Sequence, residues 1–274
     1  MSFRPSRRQL LIGGVVGVGA TVVADALGLE PRWLDITEHV VAVPSLPKAL
    51  AGLTIVQTTD LHLTRPGALH RTLVQVMRSL RPSLLVFTGD LTEDARHLDA
   101  CAAFMKQLAE PAGEALAVLG NWEHWGGIPL PLLRDCYKNA GFRLLGNENL
   151  RLGSGLVVAA TDDACSGRAM PEIAMHNLPA GPARLLMTHA PGWLATAPPS
   201  ERFNLVLAGH THGGQVRVMG ESLVLPPGSG SFASGWYDTA LGRLYVSRGL
   251  GTSVVPIRLG CRPELAVFRL QPAA

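Results

Sequence analysis

The sequence predicts an α/β fold in which two sheets pack against each other. Three short strands in the first half are almost entirely apolar, and helical patterns separate them. Strands of this kind are buried on both faces, as in sheets covered by helices. The second half contains more strands and fewer helices, so a second sheet packed on the first is the simplest arrangement.

The first half alternates strands and helices. Its expected strands are residues 53–58, 83–87 and 115–119. One helix fits residues 69–80, where apolar side chains recur every three or four positions until Pro82 ends the pattern. A second helix fits residues 95–108.

The second half is richer in predicted strands. They are residues 156–160, 183–187, 204–208, 215–218, 243–246 and 265–270. One helix fits residues 130–140, and weaker helical patterns cover residues 170–176 and 193–197. No repeat of fixed period and no low-complexity linker divides this part of the sequence, so one domain is expected over residues 51–274.

The N-terminus has the order of regions found in an export signal. Arg7 and Arg8 precede an apolar run over residues 10–23, and the small-residue pattern Ala24-Asp25-Ala26 follows. The run is shorter than the ~20 residues needed to span a bilayer. The SRRQLL start is similar to a twin-arginine (Tat) signal; the alternative is a cytoplasmic helix with a chance arginine pair.

We therefore expect a Tat-type signal peptide or N-terminal anchor at residues 1–26 and a linker at residues 27–50. Export would place the protein in the periplasm or on the outer face of the cytoplasmic membrane, and a retained anchor would associate it with that membrane. Because the formal net charge is only +3 and lies mostly near the N-terminus, we expect no nucleic-acid partner. We also expect a monomer whose four cysteines, which lack CxxC spacing, are buried free thiols.

Side chains with oxygen or nitrogen atoms that can bind a metal ion follow five of the predicted strands. They are Asp60, His62, Asp90, Asn121, His189, His210 and His212. Residues two apart in an extended segment point the same way, so each Asp-x-His or His-x-His pair can reach one ion. The donors suit Zn, Mn or Fe(II), and seven ligands predict two ions that share a carboxylate. Gly89, Gly120 and Gly209 precede three of these residues and are expected to allow sharp backbone turns.

With their glycines, these residues resemble the signature of the calcineurin-like metallophosphoesterases. Two longer stretches, GHTHGGQVRV at 209–218 and SRGLGTSVVPIRLGCRPEL at 247–265, are similar to the YkuE-like branch, which is often exported or membrane-associated. The resemblance extends from about residue 50 to the end of the chain. It implies a four-layer α/β/β/α sandwich of two mixed sheets flanked by helices.

The resemblance also implies a role for each residue. The first divalent ion (Mn, Zn or Fe) would be held by Asp60, His62 and His212. The second would be held by Asn121, His189 and His210. Asp90 would bridge the two ions, and the activity would be hydrolysis of phosphate esters or pyrophosphates by attack of a metal-bridging hydroxide. The YkuE-like branch includes enzymes that split UDP-diacylglucosamine, which makes a cell-envelope or lipid-linked substrate one expectation.

One position departs from the family pattern. Where the family has His after Gly-Asn, as a proton donor to the leaving oxygen, this sequence has Trp122. An indole N–H can donate a hydrogen bond but cannot shuttle a proton.

Three explanations are open. In the first, His124 takes over proton donation and Glu93 orients it, so these two residues are the catalytic candidates. In the second, no general acid exists and the metals act on substrates with good leaving groups. In the third, the protein is a non-catalytic metal-binding protein of the cell envelope that lost activity with the change at Trp122. Arg248 is predicted to bind substrate, as Arg258 could, because a guanidinium matches phosphate oxygens bidentately; a surface or structural role for these arginines is the alternative.

Overall fold

The computed structural model describes residues 21–273 and confirms the α/β fold with two mixed six-stranded sheets. Most of the predicted signal or anchor, residues 1–20, lies outside the described residues. Among the described residues, no helix combines the length and apolar character needed to cross a membrane. All four cysteines are free thiols, and three of them are buried.

The first sheet is formed mainly by the N-terminal half. Its strands are β1 (Asp35–Val43), β2 (Thr54–Thr58), β3 (Leu84–Thr88), β4 (Glu114–Val118), β5 (Arg143–Leu144) and β14 (Glu264–Pro272). Their spatial order is β1-β14-β2-β3-β4-β5. Strands β2, β3 and β4 are parallel, and β14 is antiparallel to β2. The carboxyl ends of the three parallel strands therefore meet at one edge.

The second sheet is formed by the following segments. Its strands are β6 (Glu148–Arg151), β7 (Val157–Ala160), β8 (Arg184–Met187), β9 (Phe203–Ala208), β12 (Gly235–Thr239) and β13 (Gly242–Val246). Their order is β12-β13-β9-β8-β7-β6, and β7, β8 and β9 are parallel. A separate hairpin pairs β10 (Arg217–Val218) with β11 (Glu221–Ser222).

Helices cover the first sheet, and the two sheets pack face to face. These helices are α1 (Ala68–Leu80), α2 (Leu98–Ala109), α3 (Asn121–Trp125) and α4 (Leu130–Asn139). A further short helix, α5 (Pro171–Ala174), contacts β6 of the second sheet. In β3, Leu85 and Phe87 belong to the core beneath the helices, while Leu84 and Val86 belong to the core between the sheets. A third core lies on the other face of the second sheet and includes Leu194 from a helical turn. The predicted four layers are present, and short elements form the fourth.

The prediction of a linker at residues 27–50 is wrong. This segment contains β1, which pairs in parallel with β14 over its whole length. Most of β1 alternates between half-buried and exposed residues, as expected at the edge of a sheet, so its sequence lacks the continuous apolar run of the inner strands. The chain before β1 also packs on the domain. The buried carboxylate of Glu30 accepts hydrogen bonds from the backbone N–H groups of Gly260 and Cys261.

Candidate metal centre

All seven predicted metal ligands lie at one site, where the carboxyl ends of the parallel strands of both sheets meet. Asp60, Asp90 and Asn121 follow β2, β3 and β4 of the first sheet. His189 follows β8, and His210 and His212 follow β9, in the second sheet. The pairing of parallel strands within each sheet brings these side chains together.

The first group comprises Asp60, His62, Asp90 and His212, whose donor atoms lie within 4.8 Å of one another. The Nε2 atoms of His62 and His212 are 3.0 Å apart. His212 Nε2 is 3.4 Å from Asp60 Oδ1, and His62 Nε2 is 3.6 Å from Asp90 Oδ2. Two carboxylates and two imidazoles thus converge on one point.

The second group comprises Asp90, His189 and His210, again within 4.8 Å. His189 Nε2 is 3.2 Å from Asp90 Oδ2. The side-chain oxygen of Asn121 is 3.1 Å from His189 Nε2 and 2.8 Å from His210 Nδ1. Asp90 therefore belongs to both groups, as predicted for a residue shared by two ions.

Five of the seven residues have a left-handed backbone. Their φ angles are 55° (Asp60), 43° (His62), 59° (Asp90), 71° (His210) and 51° (His212). This conformation is uncommon outside glycine, and it persists where the surrounding structure enforces it, often at functional sites.

The neighbouring glycines serve the site in two ways. Gly89 has φ of 96°, as predicted for a sharp turn. Gly120 and Gly209 do not have positive φ. Glycine is needed at these two positions because a side chain would not fit. A Cβ on Gly120 would lie 2.2 Å from Asp90 Oδ1, and one on Gly209 would lie 2.5 Å from Asp60 Oδ2. These two glycines let the carboxylates approach the backbone.

Hydrogen bonds outside the two groups fix which ring nitrogen faces the centre. The backbone oxygen of Thr88 accepts from His189 Nδ1 at 2.7 Å, and that of Pro227 accepts from His210 Nε2 at 2.7 Å. His62 Nδ1 is 3.1 Å from the Glu93 carboxylate. Such outer contacts are typical of metal-binding histidines, because they set the tautomer and the ring orientation.

The arrangement fits a pair of cations. The Nε2 atoms of His62 and His212 face each other 3.0 Å apart with the carboxylates of Asp60 and Asp90 beside them, and a cation there would accept a lone pair from each nitrogen. Burial and the charge of His62 lower the pKa of His212, and burial and the charge of His189 lower the pKa of His210 to about 4. Neutral imidazole is the form that binds a metal, and carboxylate, amide and imidazole donors suit Mn, Zn or Fe(II).

Glu123 supports the site and was not predicted from the sequence. It is fully buried, and its carboxylate accepts hydrogen bonds from Leu91 N (2.6 Å) and Gly120 N (3.0 Å). It thereby ties the loop that carries Asp90 to the loop that carries Asn121. Burial and the charge of Asp90 raise the pKa of Glu123 to about 7. The signal was its position three residues after Gly120, the spacing of a capping box at the start of α3.

The structure separates the predicted proton donor from its predicted partner. Glu93 contacts His62, so the prediction that it orients His124 is wrong. His124 Nε2 instead lies 2.8 Å from Asp162 Oδ1. The exposed loop at Glu93 follows β3, whereas Asp162 follows β7, and sequence spacing gave no means of choosing between them.

Arg248 is engaged in a structural ion-pair cluster. Its guanidinium lies 2.7 Å from Asp35 Oδ2 and 3.2 Å from Glu264 Oε1. Both contacts use Nη2 alone, so binding of substrate phosphate by Arg248 stays a prediction.

Asp163 is a second residue that the sequence reasoning missed. It is fully buried and lies near two of the histidines. Burial lowers the pKa of both His189 and His210, while the charges of Asp90 and, less strongly, Asp163 raise it, so the pKa of His189 is above its usual value and that of His210 is about 4. Its Oδ2 accepts from Ser166 N, while its buried Oδ1 has no hydrogen-bond partner within residues 21–273. The sequence signal was available, since Asp162 and Asp163 directly follow an apolar strand in the same way as the other site residues.

Two of the cavities that adjoin the metal centre share Trp122. The larger, of about 590 Å³, is lined by Asn121, His210 and His212 together with mainly apolar side chains. The smaller, of about 490 Å³, is lined by His62 and mainly polar side chains. Trp122 lines both cavities, and His124 lines neither.

Comparison with known proteins agrees with this geometry. Residues 53–214 match the calcineurin-like phosphoesterase family. The chain is 32% identical to the metallophosphoesterase YkuE of Bacillus subtilis (strain 168), over 97% of this chain and 98% of that protein. It is 29% identical to the phosphodiesterase YaeI of Escherichia coli (strain K12), over 88% and 90% of the two chains. It is 26% identical to the UDP-2,3-diacylglucosamine pyrophosphatase LpxG of Chlamydia muridarum (strain MoPn / Nigg), over 95% and 98%.

Proposed function

The chain belongs to the calcineurin-like phosphoesterase family, and we propose that it is an exported two-metal enzyme that splits a phosphate ester or pyrophosphate bond. Membership of the family makes it a hydrolase acting on phosphoester bonds. Beyond family membership, we propose that the enzyme binds two metal ions, that it is exported, and that it acts on a particular kind of substrate.

The observation that carries the two-metal proposal is the position of Asp90. Its Oδ1 accepts a hydrogen bond from Trp122 N at 2.9 Å, which fixes the carboxylate plane. Its Oδ2 faces both His62 Nε2 (3.6 Å) and His189 Nε2 (3.2 Å), one from each group. A carboxylate held in this way can serve two ions at once.

When bound, two divalent ions supply Lewis acidity toward the phosphoryl oxygens and a hydroxide for in-line attack. The seven site residues would hold the ions in place. Asp60, Asp90 and Asn121 are almost completely buried, so their dipoles and charges act in a medium of low dielectric constant.

Neither Trp122 nor His124 is placed or suited to donate a proton to the leaving group. Trp122 cannot transfer a proton. His124 is bound to Asp162 and lies outside both cavities. Of the explanations open from the sequence, we therefore favour the one in which the metals act on a substrate with a good leaving group, such as a pyrophosphate or an aryl phosphate. The pyrophosphatase named among the relatives agrees with this choice.

Export and a cell-envelope or lipid-linked substrate complete the proposal. Their support is the Tat-like N-terminal sequence and the relative named as acting on a diacylated sugar nucleotide. Replacement of both Arg7 and Arg8 by Lys is expected to leave the protein in the cytoplasmic fraction, because the arginine pair defines the signal. Equal export of this variant and the natural protein would contradict the Tat route.

The test of activity uses the full chain loaded with Mn²⁺ or Zn²⁺ and bis-p-nitrophenyl phosphate as substrate. We expect metal-dependent turnover, and at least a ~100-fold loss in Asp90→Asn, since even outer contacts of metal sites are worth ~10–100-fold. Metal binding without turnover would favour the non-catalytic alternative, and turnover that Asp90→Asn leaves unchanged would overturn the two-metal proposal.

A further inference from the structure

We propose that the substrate is amphiphilic, with an apolar chain in the larger cavity and its phosphoryl group at the metal centre, and that Trp122 is the wall between this cavity and the polar one. This inference rests on the proposed function and specifies its substrate class.

The larger cavity is continuous with the metal centre. Asn121, His210 and His212 form part of its lining, so an occupant would touch the groups that hold the ions. The remaining lining is mainly apolar and includes Leu225 and Pro226. A volume of about 590 Å³ lies within the ~300–1,000 Å³ usual for small-molecule sites.

Apolar side chains at the mouth of this cavity are unusually exposed. Leu223 is 62% exposed, Val224 is 73% exposed and Val254 is 88% exposed. Exposed apolar residues are ordinary when scattered, but a cluster around one cavity marks a surface that becomes covered. Val254 also has φ of 64°, which a β-branched residue rarely adopts. An apolar chain leaving the metal centre through this mouth would cover all three side chains.

The smaller cavity has the opposite character. It is lined by polar groups that include Thr64, Thr92 and His97, and it shares Trp122, Val254 and Val255 with the larger one. The Trp122 ring packs between the rings of His62, at 6.0 Å, and Trp125, at 5.7 Å. A bond cleaved at the metals would therefore join an apolar part of the substrate to a polar part.

The experiment measures binding of methyl, butyl and octyl phosphate to the Mn²⁺-loaded full chain by isothermal titration calorimetry. Burial of each added methylene is expected to tighten binding by about three- to fourfold, up to the length that the cavity holds. The variant Val224→Asp places a charge at the mouth and is expected to reduce this dependence on chain length. Val224 is exposed, so the fold does not depend on it.

The matched control is Leu132→Asp. Leu132 is also exposed (46%) but lies on α4 and lines neither cavity, so the variant is expected to keep the full dependence. Equal affinity for the three phosphates, or the same dependence in both variants, would overturn the inference.

Hydrolysis of bis-p-nitrophenyl phosphate by the same preparation tests the proposed function separately. A dependence on chain length without turnover would support the apolar site and count against catalysis. Turnover with equal affinity for all three phosphates would leave the hydrolase in place and overturn the amphiphilic substrate.

Discussion

Replacement of Glu123 by Ala is expected to loosen the metal centre although Glu123 is not a predicted ligand. The carboxylate accepts from Leu91 N and Gly120 N, the residues next to Asp90 and Asn121. Both N–H groups are held by the same buried side chain. Its loss would leave two buried donors unpaired and free the two loops to move independently.

The magnitude follows from these two hydrogen bonds. Each buried donor left unpaired costs about 1–3 kcal/mol, so Glu123→Ala should lower the free energy of unfolding by about 2–6 kcal/mol. Glu123→Gln keeps one acceptor oxygen but turns an N–H₂ group toward the other donor, so its cost should be about half. Because ligand positions depend on such contacts, the affinity for Mn²⁺ should also fall ~10–100-fold in the Ala variant.

Urea unfolding of the metal-free protein and calorimetric titration with Mn²⁺ measure the two effects. Glu110→Ala is the control, since Glu110 is exposed at the end of α2 and its removal should change the free energy of unfolding by less than about 0.5 kcal/mol. The reasoning would be refuted if Glu123→Ala were as stable as the control, or if it bound Mn²⁺ as tightly as the natural protein.

Two further substitutions address residues outside the metal groups. His124→Ala should lower kcat on bis-p-nitrophenyl phosphate less than about tenfold, because His124 is bound to Asp162; a loss of ~10²–10⁴ confined to esters with poor leaving groups would instead identify a general acid. In Glu264→Gln, the free energy of unfolding should fall less steeply as the pH is lowered. Burial raises the pKa of Glu264, but the charge of Arg248 and bonds from Arg248 and Tyr245 outweigh it and hold the pKa below 4.5. This carboxylate therefore stabilises the fold above about pH 4.5, and the contribution is lost as the pH falls through the lowered pKa. Urea unfolding from about pH 7 to about pH 3 measures it, and an unchanged slope in Glu264→Gln would contradict the assignment.

The metal groups were predictable from the sequence because two rules reinforce each other there. Buried parallel strands appear in the sequence as continuous apolar runs. The residues that follow these runs meet at one edge of the sheet, whatever the length or conformation of the connecting loops. Asp90 and His189 illustrate this, since their separation in the chain is large but both follow a parallel strand. The same rule applied to the strand at residues 156–160 would have found Asp163.

Contacts made from loops and edge strands were not predictable in this way. Asp162 and Glu93 are both acids beyond strand ends, and only the packing of the two sheets decides which of them reaches His124. Strand β1 was missed for a related reason. Its pairing with β14 depends on backbone hydrogen bonds at a sheet edge, which require no continuous apolar run.

The change at Trp122 is tolerable because the backbone and the side chain of this residue do different things. The backbone N–H holds the carboxylate of Asp90 at 2.9 Å, and any residue in this helical turn except proline can provide that bond. The neighbours Asn121 and Glu123 supply the predicted ligand and the loop tie through their own side chains. Replacing His by Trp therefore leaves the metal groups intact and alters only what faces the cavities. Under the proposed function, the exchange of a proton donor for an apolar side chain would narrow the range of leaving groups that the site can expel and increase the apolar surface that it offers to a substrate.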